Sequence, residues 1–177
     1  MKLRNNRAMK LALILAVLAA LAGAASARSM HGTVTHVTDG DTVWLQPDDP
    51  SAPAVKLRLQ GIDAPEICQT WGPQAKAALA ARVLRRHVQV DTRATDDYGR
   101  RVAKLHLAAE DVGAWMVAQG HAWSYRYRRS AGPYAAQEQQ ARAARRGLFA
   151  DAHAVEPRLF RHQHGACVHA RAVPLGQ

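Results

Sequence analysis

Three stretches of alternating polarity follow one another from residue 32, and a helix-forming run interrupts them before two more arrive. The first two are "GTVTHV" and "DTVWLQ", joined through Asp39-Gly40, a dipeptide that between two such runs marks a hairpin. The third, "AVKLRLQGI", follows the turn-rich loop "DDPSAP" and sets Val55, Leu57 and Leu59 on one face against Lys56, Arg58 and Gln60 on the other. Gly72-Pro73 then opens "QAKAALAARVLRR", in which Pro73 sits at a tolerated first-turn position, so a helix is expected from about Pro73 to Arg85. "HVQVDT" and "RRVAKLHL" read as the last two strands, separated by a polar loop "RATDDYG" with Gly99 at its turn. Two further helices are expected in "DVGAWMVAQG", with Asp111 as N-cap, and in "GPYAAQEQQARAARRG". Five short strands with a helix after the third, and helices behind, predict a small five-stranded OB-type barrel carrying about three packed helices.

The two ends of the chain differ from this body in composition. Lys2, Arg4, Arg7 and Lys10 precede an apolar run from Leu11 to Ala22, and Ala25-Ser26-Ala27 fits a small-x-small cleavage site. Residues 1–27 are therefore expected to be a secretory signal peptide, 28–150 the folded domain, and 151–177 an irregular His- and Arg-rich tail. The apolar run is shorter than the roughly 20 residues of a spanning helix, so no membrane segment is expected in the mature form. A mature chain of this size suits one domain and, as read here, a monomer.

The whole chain holds 24 Lys and Arg against 14 Asp and Glu. Cleavage of the leader takes four of those positive charges and leaves the protein basic, which favours polyanions such as nucleic acid without conferring specificity. The two cysteines, Cys68 and Cys167, form an even count in an exported chain and are expected to pair. A competing reading groups Cys167 with His162, His164 and His169 as a transition-metal cluster, although the spacing matches no recognised finger.

Against this basic background Asp39, Asp41, Asp63 and Glu66 crowd into two neighbouring segments. Carboxylates at close range repel unless a cation lies between them. The hairpin "DGDT" and the end of the third strand can lie side by side, so Asp41 and Asp63 are expected to share a hard cation, with a backbone carbonyl and waters completing an all-oxygen set that suits calcium. Arg58 and Arg100 supply two guanidinium groups for a phosphate, and Glu66 stands where it can take a proton from an attacking water. Metal, base and paired arginines are the components of phosphodiester hydrolysis.

The motifs "DGDTV", "RLQGIDAPE", "GPQAK", "DDYGR" and "GLF", in that order and over nearly all of Thr33 to Phe149, resemble the staphylococcal nuclease (thermonuclease) family. The resemblance implies a calcium-dependent nuclease on an OB-fold barrel that cleaves DNA and RNA to 3′-phosphorylated products. It implies that Asp41 and Asp63 bind calcium through side chains, Ala64 through its carbonyl and Asp39 through the outer shell. Arg58 and Arg100 would stabilise the five-coordinate phosphorus, and Glu66 would act as general base or as a residue that positions water and loops. Tyr98, Tyr125 and Tyr127 match positions that line the nucleotide pocket, where stacking on a base tolerates any sequence. Ala64 departs from the threonine of the best-known member, and "ICQTW" lacks the basic residues that member carries after its glutamate, which bears on nucleotide affinity. The contrasting expectations are a nucleic-acid-binding module without catalysis, and a basic envelope protein whose calcium is structural.

Overall fold

The computed structural model describes residues 28–165 and residue 167; the expected signal peptide and His169 lie outside the described residues. Strands β1 (Arg28–Asp39), β2 (Thr42–Pro47) and β3 (Val55–Leu59) form an antiparallel meander, and β5 (His87–Thr95) pairs with β1 on its other side. Strand β6 (Arg101–Leu107) runs antiparallel to β5 and parallel to β3, and that last pairing closes a five-stranded barrel. At twelve residues β1 is long enough to serve both β2 and β5, and two register shifts against β2 let it bend between them. The short strand β4 (Ile62–Asp63) leaves the barrel wall to pair with β8 (Trp123–Ser124), while β7 (Glu110–Asp111) extends the sheet beside β6.

Inward-facing positions alternate as the sequence requires. Val43 and Leu45 of β2, Leu57 and Leu59 of β3, Val88 and Val90 of β5, and Ala103 and Leu105 of β6 are all buried in one core with Val34. Helix α1 (Gly72–Val83) closes the barrel with Ala75, Leu79 and Val83, and α2 (Val112–Ala118) adds Val112, Met116 and Val117. Asp111 caps α2 by accepting from the Ala114 amide at 3.1 Å, as its side-chain oxygen predicts. A smaller cluster of Trp123, Ala141, Leu148 and Phe149 lies under α3 (Ala135–Ala143). There the buried Glu138 accepts from the Ser124 amide at 2.9 Å and from Arg126 and Arg142, so its charge is fully paired.

Three sequence expectations are corrected. Strand β5 continues through Thr95 because Arg93 to Thr95 still lie along β6, which shortens the polar loop to the turn around Asp96 to Gly99. The hairpin turn is Gly40-Asp41, one residue later than read, because Asp39 pairs with Thr42 and uses its carboxylate to accept from the Asp41 amide at 3.1 Å. The tail is not wholly irregular: a fourth helix, α4 (Pro157–His164), follows Pro157 at its first turn and ends at Gly165. Only Pro157 of α4 is buried, and the helix is eight residues long and rich in Arg, His and Gln, so it lacks the run of apolar residues that marks the other helices.

Candidate active site

The site grows out of two backbone constraints. Pairing of Thr42 with Arg58 puts the hairpin tip beside the outer face of β3, and the Leu59 amide donates to the Asp41 carbonyl at 2.8 Å. Gly40 then packs so closely that a Cβ would stand 2.7 Å from that of Ala64 and 2.8 Å from that of Ala75. The absent side chain therefore lets the tip settle on the segment that carries Asp63, Ala64 and Glu66. Further along, a Cβ on Gly72 would lie 1.9 Å from the Glu66 carbonyl oxygen, so the loop after Glu66 folds back onto the start of α1 only with glycine there. Gln69 holds this loop, accepting from the Glu66 amide at 3.2 Å and donating to the Val155 carbonyl at 2.6 Å.

Asp41 and Asp63 come together as the sequence requires, both almost fully buried and bridged by one nitrogen of Arg58. Arg58 Nη2 donates to Asp41 Oδ2 and to Asp63 Oδ1, each at 3.1 Å. Asp41's charge, with Asp63 and Asp39 behind it, outweighs burial and raises the Arg58 pKa. Burial, followed by the neighbouring Asp41, pushes the Asp39 carboxyl up to about 7. Burial and Asp41 also raise Asp63, against the opposing charges of Arg161 and Arg58. Burial first, and the neighbouring Asp41 second, thus weigh against the ionised form of Asp39 and Asp63.

The donor set fits a hard cation, because the acceptor atoms that Asp41 and Asp63 bring together around Arg58 are all carboxylate oxygens. Among the described residues no three His, Cys, Asp or Glu side chains form a ready cage, so a cation here would depend on backbone and water oxygens as well.

The remaining expected residues are distributed around this centre. Glu66 lies on the same surface, joined to Asp63 through Arg161. Arg100, just ahead of β6, is on the outward face shared by Val102, the register partner of Arg58, but it is held elsewhere: its backbone and side chain both bond Asp96, at 2.9 and 2.8 Å. It does not bond Asp41, Asp63 or Glu66. The Tyr125 ring lies 5.9 Å from the Arg58 guanidinium, brought there by β8 and by the Tyr125 amide donating to Gly61 at 2.8 Å. Tyr98 stacks beside Arg100 at 5.2 Å and Tyr127 beside Arg128 at 5.2 Å, and both rings are largely exposed on the rim. Cys68 and Cys167 are bonded, so Cys167 is not a thiolate metal ligand.

Arg161 of α4 was not foreseen from sequence. Its Nη1 donates to Glu66 Oε1 at 2.7 Å and its Nη2 to Asp63 Oδ2 at 3.2 Å. The signal that could have found it was present: Pro157 starts a helix, Gly165 ends it, and pairing of Cys167 with Cys68 returns that helix to within two residues of Glu66.

A model of the staphylococcal nuclease homologue family matches residues 56–151. The chain belongs to the staphylococcal nuclease family. It is 40% identical over 174 residues to Protein ParB from Escherichia coli, covering 92% of this chain and 96% of that protein. It is 34% identical to a micrococcal nuclease from Shigella flexneri, over 74% of this chain and 80% of the relative. An uncharacterized endonuclease from Haemophilus influenzae is 32% identical, over 73% of this chain and 72% of its own length.

In this family member the loop bearing Glu66 is also tied to the body through Trp71, whose indole N–H donates to His121 Nδ1 at 3.2 Å. Burial lowers the His121 pKa below its usual 6.5, which keeps the ring neutral and able to accept. The unfolded chain therefore takes up a proton that the folded chain refuses, and stability falls as pH drops below 6.5 towards the folded pKa. Denaturant unfolding of the wild type and of His121→Asn should differ less at pH 5.5 than at pH 7.5. A difference independent of pH would show that His121 does not titrate in this window.

Proposed function

We propose that this protein is an exported, calcium-dependent endonuclease that hydrolyses phosphodiester bonds in DNA and RNA with little sequence preference and leaves 3′-phosphates. The observation that carries the reading is the meeting of Asp41, Asp63 and Arg58 on one outer face of the barrel, in a chain with relatives named as nucleases. Calcium held by Asp41, Asp63 and the Ala64 carbonyl, with Asp39 in the outer shell, would supply positive charge at the scissile phosphate and polarise it.

The protein's own groups do the rest. Both carboxylate bonds of Arg58 use Nη2, so the other guanidinium N–H groups can face a phosphate oxygen. Arg100 approaches from the same outward face, its orientation fixed by Asp96, and serves the leaving oxygen. Glu66 accepts the proton of the attacking water. Tyr125 offers an apolar face beside Arg58 on which a base can stack, and Tyr98 and Tyr127 extend that contact along the rim. The reading of export to the periplasm or the medium is supported by the basic residues Lys2, Arg4, Arg7 and Lys10 ahead of the apolar run Leu11 to Ala22.

The test is digestion of single-stranded DNA and of RNA by purified residues 28–177 in calcium or in chelator, with the product ends analysed. Cleavage in calcium alone, with phosphate on the 3′ end, is the expected result. Equal cleavage in chelator removes the calcium requirement, and phosphate on the 5′ end removes the proposed bond polarity.

A further inference from the structure

Asp63 is expected to hold a cation, yet both of its oxygens are engaged by arginine. Arg58 bonds Oδ1, whereas Arg161 reaches Oδ1 at 3.4 Å and Oδ2 at 3.2 Å. The two arginines differ in how they are held. Arg58 belongs to β3, a strand of the closed barrel wall, and its side chain, on the outer face, is 18% exposed. Arg161 belongs to α4, a helix of eight residues with one buried residue, and its side chain is 36% exposed.

The bed beneath α4 is open. A cavity of about 440 Å³ separates it from the body, lined by Trp71, Trp123 and Leu148 on one side and Phe160, Gln163 and His164 on the other. Among the described residues, none of the extensive contacts between elements of the fold involves α4. Beyond the apolar contact of Ala154 and the buried Pro157, what fixes the segment is polar or covalent: the Cys68–Cys167 bond, the Gln69 bond to the Val155 carbonyl, the ion pair of Glu156 with Arg126, and Arg161 itself on Glu66 and Asp63. An element held by charge at one point and by a covalent clip six residues away can release the charge without leaving the protein.

We propose that Arg161 is a tethered counter-cation that occupies Asp63 in the metal-free protein and that a divalent ion must displace, with the Cys68–Cys167 clip keeping it in competition. The proposal rests on the calcium site inferred above. A guanidinium and a divalent ion bound to one carboxylate repel each other, and the cost is large where that carboxylate is almost fully buried. Displacement frees Oδ2 of Asp63 for the ion and leaves Oδ1 bonded to Arg58 alone, while the shorter Arg161 bond to Glu66 can persist or pass to the substrate phosphate. The clip sets a high local concentration of Arg161, so the protein binds the ion more weakly than its carboxylates alone would. In return, the acids are not left unpaired when calcium is scarce.

The experiment measures calcium affinity by titration calorimetry, and Tm in chelator and in saturating calcium, for the wild type, Arg161→Gln, the double variant Cys68→Ser/Cys167→Ser and Asp63→Asn. Arg161→Gln is expected to bind calcium about ten-fold more tightly or better. Its Tm should fall below wild type in chelator and return to it in calcium, a crossing that a merely structural contact would not give. The clip variant should also gain affinity, by less, since its arginine is loosened and not removed. Wild-type affinity in Arg161→Gln, with calcium still bound and Asp63→Asn weakened, overturns the competition and leaves the calcium site standing. Absence of calcium binding in the wild type and in Arg161→Gln alike overturns both.

Discussion

Arg58→Ala is expected to lower kcat/KM on single-stranded DNA by roughly 10²–10³-fold at saturating calcium, the range found when a preorganised donor to a transition state is removed. The residue has two tasks that the structure separates. Through Nη2 it bridges Asp41 and Asp63, each at 3.1 Å, and with its other N–H groups it can present a fork to phosphate. Loss of the bridge leaves two nearly buried carboxylates with less compensation, so the alanine variant should also melt earlier in chelator, and calcium should restore much of that loss. Arg58→Lys distinguishes the tasks. Lysine carries the charge without the planar fork, so it should recover melting temperature in chelator while turnover stays low. Melting curves and steady-state kinetics on the three proteins check this, and full activity in the lysine variant would reduce Arg58 to a charge.

The barrel was legible because its evidence is local. Period-two alternation, Asp-Gly between two strands and Gly-Pro ahead of an alanine-rich run each report their own neighbourhood, and the element order that follows admits few closures. Asp41 and Asp63 were legible for the same reason, since both sit at the ends of readable strands. The one-residue slip in the hairpin turn arose because the Asp39 side chain, and not its place in the turn, makes the closing contact. Asp96 was overlooked as the residue that orients Arg100, because an Asx-type turn that also clamps a guanidinium has no distinctive spacing.

Helix α4 was marked in the sequence only by its end signals, Pro157 and Gly165, for a physical reason. It buries almost nothing, so hydrophobic periodicity does not report it, and its position depends on the disulfide and on ion pairs between residues nearly one hundred positions apart. Gly72 was read as helix punctuation, whereas its decisive property is the close approach of the Glu66 carbonyl. That contact fixes the loop in which the proposed base resides.

The central claim is that Glu66 takes the proton of the attacking water in a metal-assisted hydrolysis, and Glu66→Gln tests it most directly. Glutamine keeps the size of the side chain and an oxygen able to accept from Arg161, so α4 and the carboxylate pair should remain in place. What it lacks is basicity. With calcium affinity measured in parallel and unchanged within a few-fold, kcat on single-stranded DNA should fall by about 10²–10⁴-fold. Cleavage by Glu66→Gln at the wild-type rate would contradict the assignment of the base, and wild-type protein that binds DNA in calcium yet leaves it intact would contradict the nuclease itself.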